Sequence, residues 1–277
     1  MVVRSLLFVP GGSPELLEKV SRCRPDAVVA DLEDAVPPTE KSTARDATLA
    51  ALRVQRPGAG EILLRINPAG SPWHDQDLAA ATGGILEGLL DGIVLPKFDD
   101  LTQLDDVRAV LPRDARVVVG IESARGVANV NSLLGGKEHG LDAVYFGAED
   151  LVADIGGRRS AGNLEVLYAR SAVLLAAHLA GIPAIDQAVV SIRDVNAFNI
   201  DAAQGRDLGY QGKICLNPRQ VDAAHSVFTP TPEELAHARE VVSAASTEGV
   251  SVLAGQMIDA VHVTMARAVL ARGERKI

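Results

Sequence analysis

Eight short apolar runs, each followed by a polar residue, a loop and a longer stretch of helical periodicity, constrain this 277-residue chain more than any other feature. The runs are Leu6–Pro10, Ala27–Ala30, Ile62–Ile66, Gly92–Leu95, Val117–Ile121, Ala143–Phe146, Ile182–Ile185 and Lys213–Leu216. Most of their residues are apolar on both faces, which is the pattern of parallel strands covered on two sides. Between them, Pro14–Cys23, Lys41–Arg53 and Leu164–Ala180 place apolar residues at helical spacing. Eight strands alternating with helices predict an α/β chain folded as a closed (β/α)8 TIM barrel. A doubly wound open sheet is the competing architecture, but it more often has five or six strands.

The longest crossover, from Phe146 to Ile182, carries Gly156-Gly157-Arg158-Arg159, expected to form an active-site loop. The barrel pattern ends near Phe228, where Thr229-Pro230-Thr231-Pro232-Glu233-Glu234 reads as a helix start. A helix from Pro232 to about Ser246, a glycine-bounded turn and a last helix from about Met257 to Arg272 should follow. A tail of about fifty residues makes a poor core of its own. The expected division is therefore a catalytic barrel over 1–228 and a C-terminal helical extension over 229–277, acting as a lid or oligomerisation segment.

Composition excludes several functions. With 27 Lys+Arg against 36 Asp+Glu and a net charge of −9, binding to nucleic acid is not expected. The N-terminal apolar run is too short for a signal-peptide core or a membrane span, so a cytoplasmic location without membrane attachment is expected. Cys23 and Cys215 suit reduced, packed thiols better than a disulfide or a metal site. None of the six histidines has paired metal spacing, although His74 and His225 could lie near a loop mouth.

In barrel enzymes the chemistry collects at the C-terminal ends of the strands. Here strand two runs into Asp31-Leu32-Glu33-Asp34, strand three carries Arg65, and strand four runs into Pro96-Lys97. Strand five runs into Glu122-Ser123, strand six into Glu149-Asp150 and strand seven into Asp186-Gln187. Glu122 and Asp150 are hard oxygen ligands on adjacent strands, enough for Mg2+ with waters and substrate oxygens. Spacing alone leaves a salt-bridge network equally open for them. Arg65 must be paired inside its apolar strand, either with a structural carboxylate or, the reading favoured here, with a substrate carboxylate. Lys97 could form a Schiff base with a carbonyl substrate, but nearby carboxylates should hold it protonated and non-nucleophilic.

The motifs also occur in a familiar order: Leu7-Phe8-Val9-Pro10-Gly11, Asp31-Leu32-Glu33-Asp34-Ala35-Val36, Lys41 with Ala44-Arg45, Arg65-Ile66-Asn67 and Leu95-Pro96-Lys97. Ile121-Glu122-Ser123-Ala124-Arg125-Gly126, Gly147-Ala148-Glu149-Asp150-Leu151 and Gly212-Lys213 before Asn217-Pro218 complete it. Together they resemble the citrate lyase β-subunit-like (CitE-like) proteins of the HpcH/HpaI aldolase superfamily, which includes malyl-CoA and citramalyl-CoA lyases. The resemblance implies Mg2+ bound by Glu122 and Asp150, with Arg65 on the substrate carboxylate or carbonyl and Phe8 against the CoA moiety. It implies Glu33 and Asp34 behind the metal-bound waters, and substrate contacts from Lys97, Asn217 and Pro218. It further implies a homotrimer or hexamer in which Asp259 reaches a neighbour's site for acid–base work.

The implied reaction joins or splits acetyl-CoA and a 2-oxo acid through a carboxylated β-hydroxyacyl-CoA such as malyl-, citramalyl- or citryl-CoA. A β subunit acting on citryl thioesters of an acyl carrier protein, and a non-catalytic acyl-CoA-binding protein, are the alternatives. Three departures bear on substrate choice. Gly12-Ser13 stands where a basic residue is common, Asn217-Pro218 replaces a common His-Pro, and Gln256 and Val261 replace a basic residue and a proline around Asp259.

Overall fold

The eight apolar runs pair edge to edge in sequence order, and the last pairs with the first, closing a parallel barrel. The computed structural model describes residues 3–135, 140–244 and 250–274. Its barrel strands are β1 (Ser5–Pro10), β2 (Ala27–Asp31), β3 (Glu61–Arg65), β4 (Gly92–Leu95), β5 (Arg116–Ile121), β6 (Ala143–Phe146), β7 (Ala184–Asp186) and β8 (Gly212–Cys215). Around them run α1 (Pro14–Lys19), α2 (Lys41–Val54), α3 (His74–Leu86), α4 (Leu101–Val110), α5 (Ala124–Ala128) and α6 (Val130–Leu134). The outer layer continues with α7 (Ala148–Asp154), α8 (Leu167–Ala180), α9 (Val195–Leu208) and α10 (Pro218–Phe228).

Strand period and register decide which side chains fill the barrel. Leu6 pairs with Ala27 and Ile214, Val29 with Leu63, Val118 with Ala143, and these inward positions form one buried cluster with Val94, Tyr145 and Ile185. Continuing two residues along the same faces gives Asp31 on β2 and Arg65 on β3, and four residues past Val118 comes Glu122, just beyond β5. The apolar plug thus gives way to charge only at the C-terminal rim, where side chains still face the axis. On β7 and β8 the opposite parity holds for Asp186 and Lys213, which are register partners facing the helical layer.

Six of the eight strands shift at one or both ends, mostly by a single residue. The seventh run starts at Ala184 rather than Ile182, because Pro183 donates no hydrogen bond and only its carbonyl is used, by the Val144 amide. The third reaches back to Glu61, whose amide bonds the Asp26 carbonyl. His225 is a correction: its Nε2 lies 2.8 Å from Ser5 Oγ, at the N-terminal end of β1 and so opposite the mouth. His74 does lie on the mouth side, its Nδ1 2.8 Å from the Asn67 carbonyl.

The chain divides into two compact units, Met1–His225 and Ser226–Ile277. In the second, α11 (Pro232–Ala244) begins with a reciprocal capping box between Thr231 and Glu234, as the Thr-Pro-Glu-Glu run predicts. Its expected end near Ser246 lies outside the described residues. The glycine-bounded turn is more ordered than expected: β9 (Ser251–Leu253) and β10 (Gln256–Ile258) form an antiparallel hairpin through Ala254 and Gly255, both at positive φ. Met257 therefore belongs to a strand, and the last helix, α12 (Ala260–Glu274), starts three residues later than expected. Ala238, Val241, Ile258 and Ala266 pack as this unit's own small core. No helix among the described residues is long and apolar enough to cross a membrane.

Candidate active site

Asp31 and Arg65 are the last residues of β2 and β3, opposite one another in register on the inward face. Their meeting is therefore dictated by strand pairing: Nε and Nη2 of Arg65 donate to the two Asp31 oxygens at 2.6 and 2.7 Å. Of the two partners that the sequence leaves open for Arg65, the structural carboxylate is present, and it is Asp31. Burial opposes the Arg65 charge, but the Asp31 carboxylate outweighs it and holds the guanidinium protonated. The guanidinium carbon stands 5.0 Å from the centre of the Phe8 ring, so Phe8 is a shelf beneath the arginine inside the barrel. Arg65 also meets Glu33 and the Tyr145 hydroxyl. Nη1 stands 2.7 Å from Glu33 Oε2 but out of line for a hydrogen bond, and that oxygen is buried without an aligned donor.

Glu33 and Lys97 form the next layer. Two carbonyls of the Asp31–Asp34 loop, those of Leu32 and Glu33, accept from the buried Lys41 ammonium at 2.8 and 2.6 Å, which fixes the loop. Lys97 Nζ donates to Glu33 Oε1 at 2.8 Å and lies 3.5 Å from Asp150 Oδ1. Burial disfavours the Lys97 cation, yet the hydrogen bond and charge of Glu33, with Asp150 and Asp34, raise its pKa above the usual lysine range. That is the salt-bridged reading of Lys97, and a fully protonated amine is unsuited to Schiff-base attack. The residue has φ +50, a left-handed conformation strained for lysine. Its backbone N–H donates to Glu122 Oε1 at 2.7 Å while its side chain reaches the acids opposite.

Glu122 is 3% exposed. The Tyr145 hydroxyl stands 3.1 Å from each of its oxygens. Gly147 makes room for this carboxylate, since a Cβ there would lie 2.4 Å from Glu122 Oε2. Burial, then the charges of Glu33 and Asp150, push the Glu122 pKa up to about 7 against the pull of Arg65. Asp150, in the first turn of α7, is part-exposed at the rim.

The remaining expected residues are placed less centrally. Asp34 is largely exposed and 3.7 Å from Arg65 Nη2. Asn217 caps α10, its Oδ1 accepting from the Arg219 amide at 2.9 Å, and Pro218 takes the first helical position. Asp259 lies in the second unit, exposed, and accepts from the Val261 and His262 amides and pairs with His262 Nδ1 at 2.7 Å. The His262 hydrogen bonds lower its pKa. The Gly156–Arg159 loop turns inward through Arg159, which donates to Glu149, Glu165, Asn163 and Gln187. Sequence reasoning missed the structural role of Asp31, and it missed Tyr145 entirely. The signal for Tyr145 was a glycine, Gly120, inside an otherwise β-branched strand, which marks a close approach.

Do these residues fit a divalent cation? Asp31, Glu33, Asp34, Glu122 and Asp150 face Arg65, Lys97 and Lys41, an excess of two negative charges when all are ionised. Glu122 and Asp150 supply two hard-oxygen donors of the kind Mg2+ takes, and Glu33 Oε2 is buried without an aligned donor. No group of three or more His, Cys, Asp or Glu among the described residues closes on one point. A two-carboxylate site of this kind leaves coordination positions for water and substrate.

Residues 4–218 match the family model described as HpcH/HpaI aldolase/citrate lyase. The chain belongs to that family, and it is a carbon–carbon lyase. A citrate lyase subunit beta-like protein of Deinococcus radiodurans is 39% identical over 97% of this chain and 96% of its own length. The citrate lyase subunit beta of Escherichia coli is 34% identical over 98% and 93%. Among solved structures, CitE from Mycobacterium tuberculosis in complex with magnesium, acetoacetate and coenzyme A superposes with a TM-score of 0.82. It is 29% identical and covers 98% of both chains.

Proposed function

We propose that this chain is a Mg2+-dependent lyase of carboxylated β-hydroxyacyl-CoA thioesters, joining or splitting acetyl-CoA and a 2-oxo acid in the cytoplasm. The observation that carries the reading is the excess of carboxylate at the barrel mouth, with Glu122 and Asp150 on neighbouring strands. Mg2+ held by these two would supply Lewis-acid polarisation of the substrate's oxygens. Arg65, locked along one edge by Asp31, would present its remaining N–H groups to the substrate carboxylate. Phe8, Asn217 and Pro218 would line the path of the thioester, and Lys97 would stay protonated, tying Glu33 to Asp150.

In the condensing direction Asp259 of another subunit in a homotrimer or hexamer takes a proton from the acetyl methyl group. The resulting enolate carbon attacks the keto carbon of the oxo acid, and the new alkoxide takes a proton from a water that Glu33 and Asp34 orient. Cleavage runs these steps backwards.

The test is a screen of the purified chain against malyl-, citramalyl- and citryl-CoA, with and without EDTA. Release of a 2-oxo acid that EDTA abolishes is expected, and release unaffected by EDTA would overturn the reading. The likeness to the E. coli β subunit favours one other reading, action on a citryl thioester carried by an acyl carrier protein within a complex. Turnover of a CoA thioester by the isolated chain would exclude it.

A further inference from the structure

We propose that Tyr145 is a positioning residue for the cation site, holding the Glu122 carboxylate from inside the barrel through the space that Gly120 leaves on the neighbouring strand. The inference rests on Glu122 being a cation ligand. Gly120 and Tyr145 are register partners on β5 and β6, and Glu122 follows two residues after Gly120 on the same inward face. A Cβ on Gly120 would lie 2.3 Å from both Cζ and the hydroxyl of Tyr145. The ring therefore leans across its partner strand, and only glycine at 120 admits it. That lean brings the hydroxyl to 3.1 Å from both Glu122 oxygens.

The geometry complements the other contact. The Lys97 amide grips Oε1 alone, which leaves the carboxylate able to turn about that bond. A hydroxyl equidistant from the two oxygens removes that freedom and fixes the plane of the carboxylate. The ring in turn is braced edge-on against Phe8, with centroids 6.2 Å apart, and Phe8 carries Arg65. One aromatic pair thus sets both the acid and the arginine of the mouth. Outer contacts of this kind orient metal ligands, and losing one typically weakens metal binding about 10–100-fold.

Mg2+ titration of metal-stripped protein tests the assignment, read by calorimetry and, for weak binding, by the Mg2+-induced shift in thermal midpoint. Tyr145→Phe keeps the ring and removes only the hydroxyl. It is expected to weaken Mg2+ binding roughly tenfold while its midpoint in EDTA stays close to that of the parent protein. Excess Mg2+ should restore turnover, so the defect falls on the Mg2+ requirement rather than on kcat. A merely structural hydroxyl would do the reverse, lowering the midpoint in EDTA and leaving Mg2+ affinity unchanged, and that result overturns the proposal. Glu122→Gln in the same series separates the two claims. If it leaves Mg2+ affinity intact, the cation-site reading itself fails. If it abolishes binding while Tyr145→Phe binds as the parent does, only the role of Tyr145 falls.

Discussion

Two clusters of buried charge sit in the same barrel and are built on opposite principles. Behind β7 and β8, Arg170 and Lys213 meet Asp186 and Asp201, two cations for two anions. Arg170, Lys213 and Asp186 are wholly buried, and Asn163, Gln187 and Gln204 complete the hydrogen bonding. Gly205 leaves the room, since a Cβ there would lie 2.3 Å from Asp186 Oδ2. At the mouth, five carboxylates face three cations, a buried oxygen lacks a donor, and a lysine is held at φ +50. Closed, balanced pairing fastens helices to strands. Imbalance at an open rim is a poor way to hold a fold together and a good way to hold a cation.

The comparison can be broken most severely at the closed cluster. Asp186→Ala leaves two buried cations with Asp201 as their one remaining carboxylate partner and should cost about 3–5 kcal/mol of stability, measured by denaturant unfolding, with or without Mg2+. An unchanged midpoint would mean that the closed cluster does not fasten the fold. The open cluster should respond to pH instead. Burial raises the Glu122 pKa from 4.5 in the unfolded chain to about 7 in the folded one. Between those values the unfolded chain has lost a proton that the folded protein keeps, so stability falls as pH rises through this window and levels above it. The loss is about 3 kcal/mol at 1.36 kcal/mol per unit, in EDTA, and Glu122→Gln should flatten it.

Arg65→Lys sharpens the contrast within the mouth, because a point charge cannot reproduce the two-pronged grip on Asp31. It should raise KM for the thioester about 10–100-fold, equivalent to about 1–3 kcal/mol. The smallest effect belongs to Asp34, exposed and 3.7 Å from the arginine. Asp34→Asn should change stability by less than about 0.5 kcal/mol, and a larger loss by thermal unfolding would show that the rim is more tightly coupled than its exposure suggests.

The barrel was legible because a covered parallel strand has a simple signature, and the mouth because charge at the end of an apolar run has no packing reason to be there. What was not legible depended on register. Asp31 and Arg65 are far apart in sequence and meet only because β2 and β3 align them, so the arginine looked free for substrate. Tyr145 reads as one more apolar strand residue, and only the register that sets Gly120 beside it marks it out. The Ser251–Ile258 hairpin was hidden by its length, three residues a side with a two-residue turn. Asp259 shows the reverse limit. Its contacts within the second unit are those of a helix cap, and its part in catalysis rests on the family resemblance.

The central claim is that Glu122 belongs to a cation site that drives carbon–carbon cleavage. Its most direct test is the rate of 2-oxo acid release by Glu122→Ala from whichever CoA thioester the parent protein cleaves, at saturating Mg2+. The account predicts a loss of at least roughly a thousandfold, about 4 kcal/mol of transition-state stabilisation, to the level of the parent protein in EDTA, with the fold intact. Full Mg2+-dependent cleavage by Glu122→Ala would contradict it.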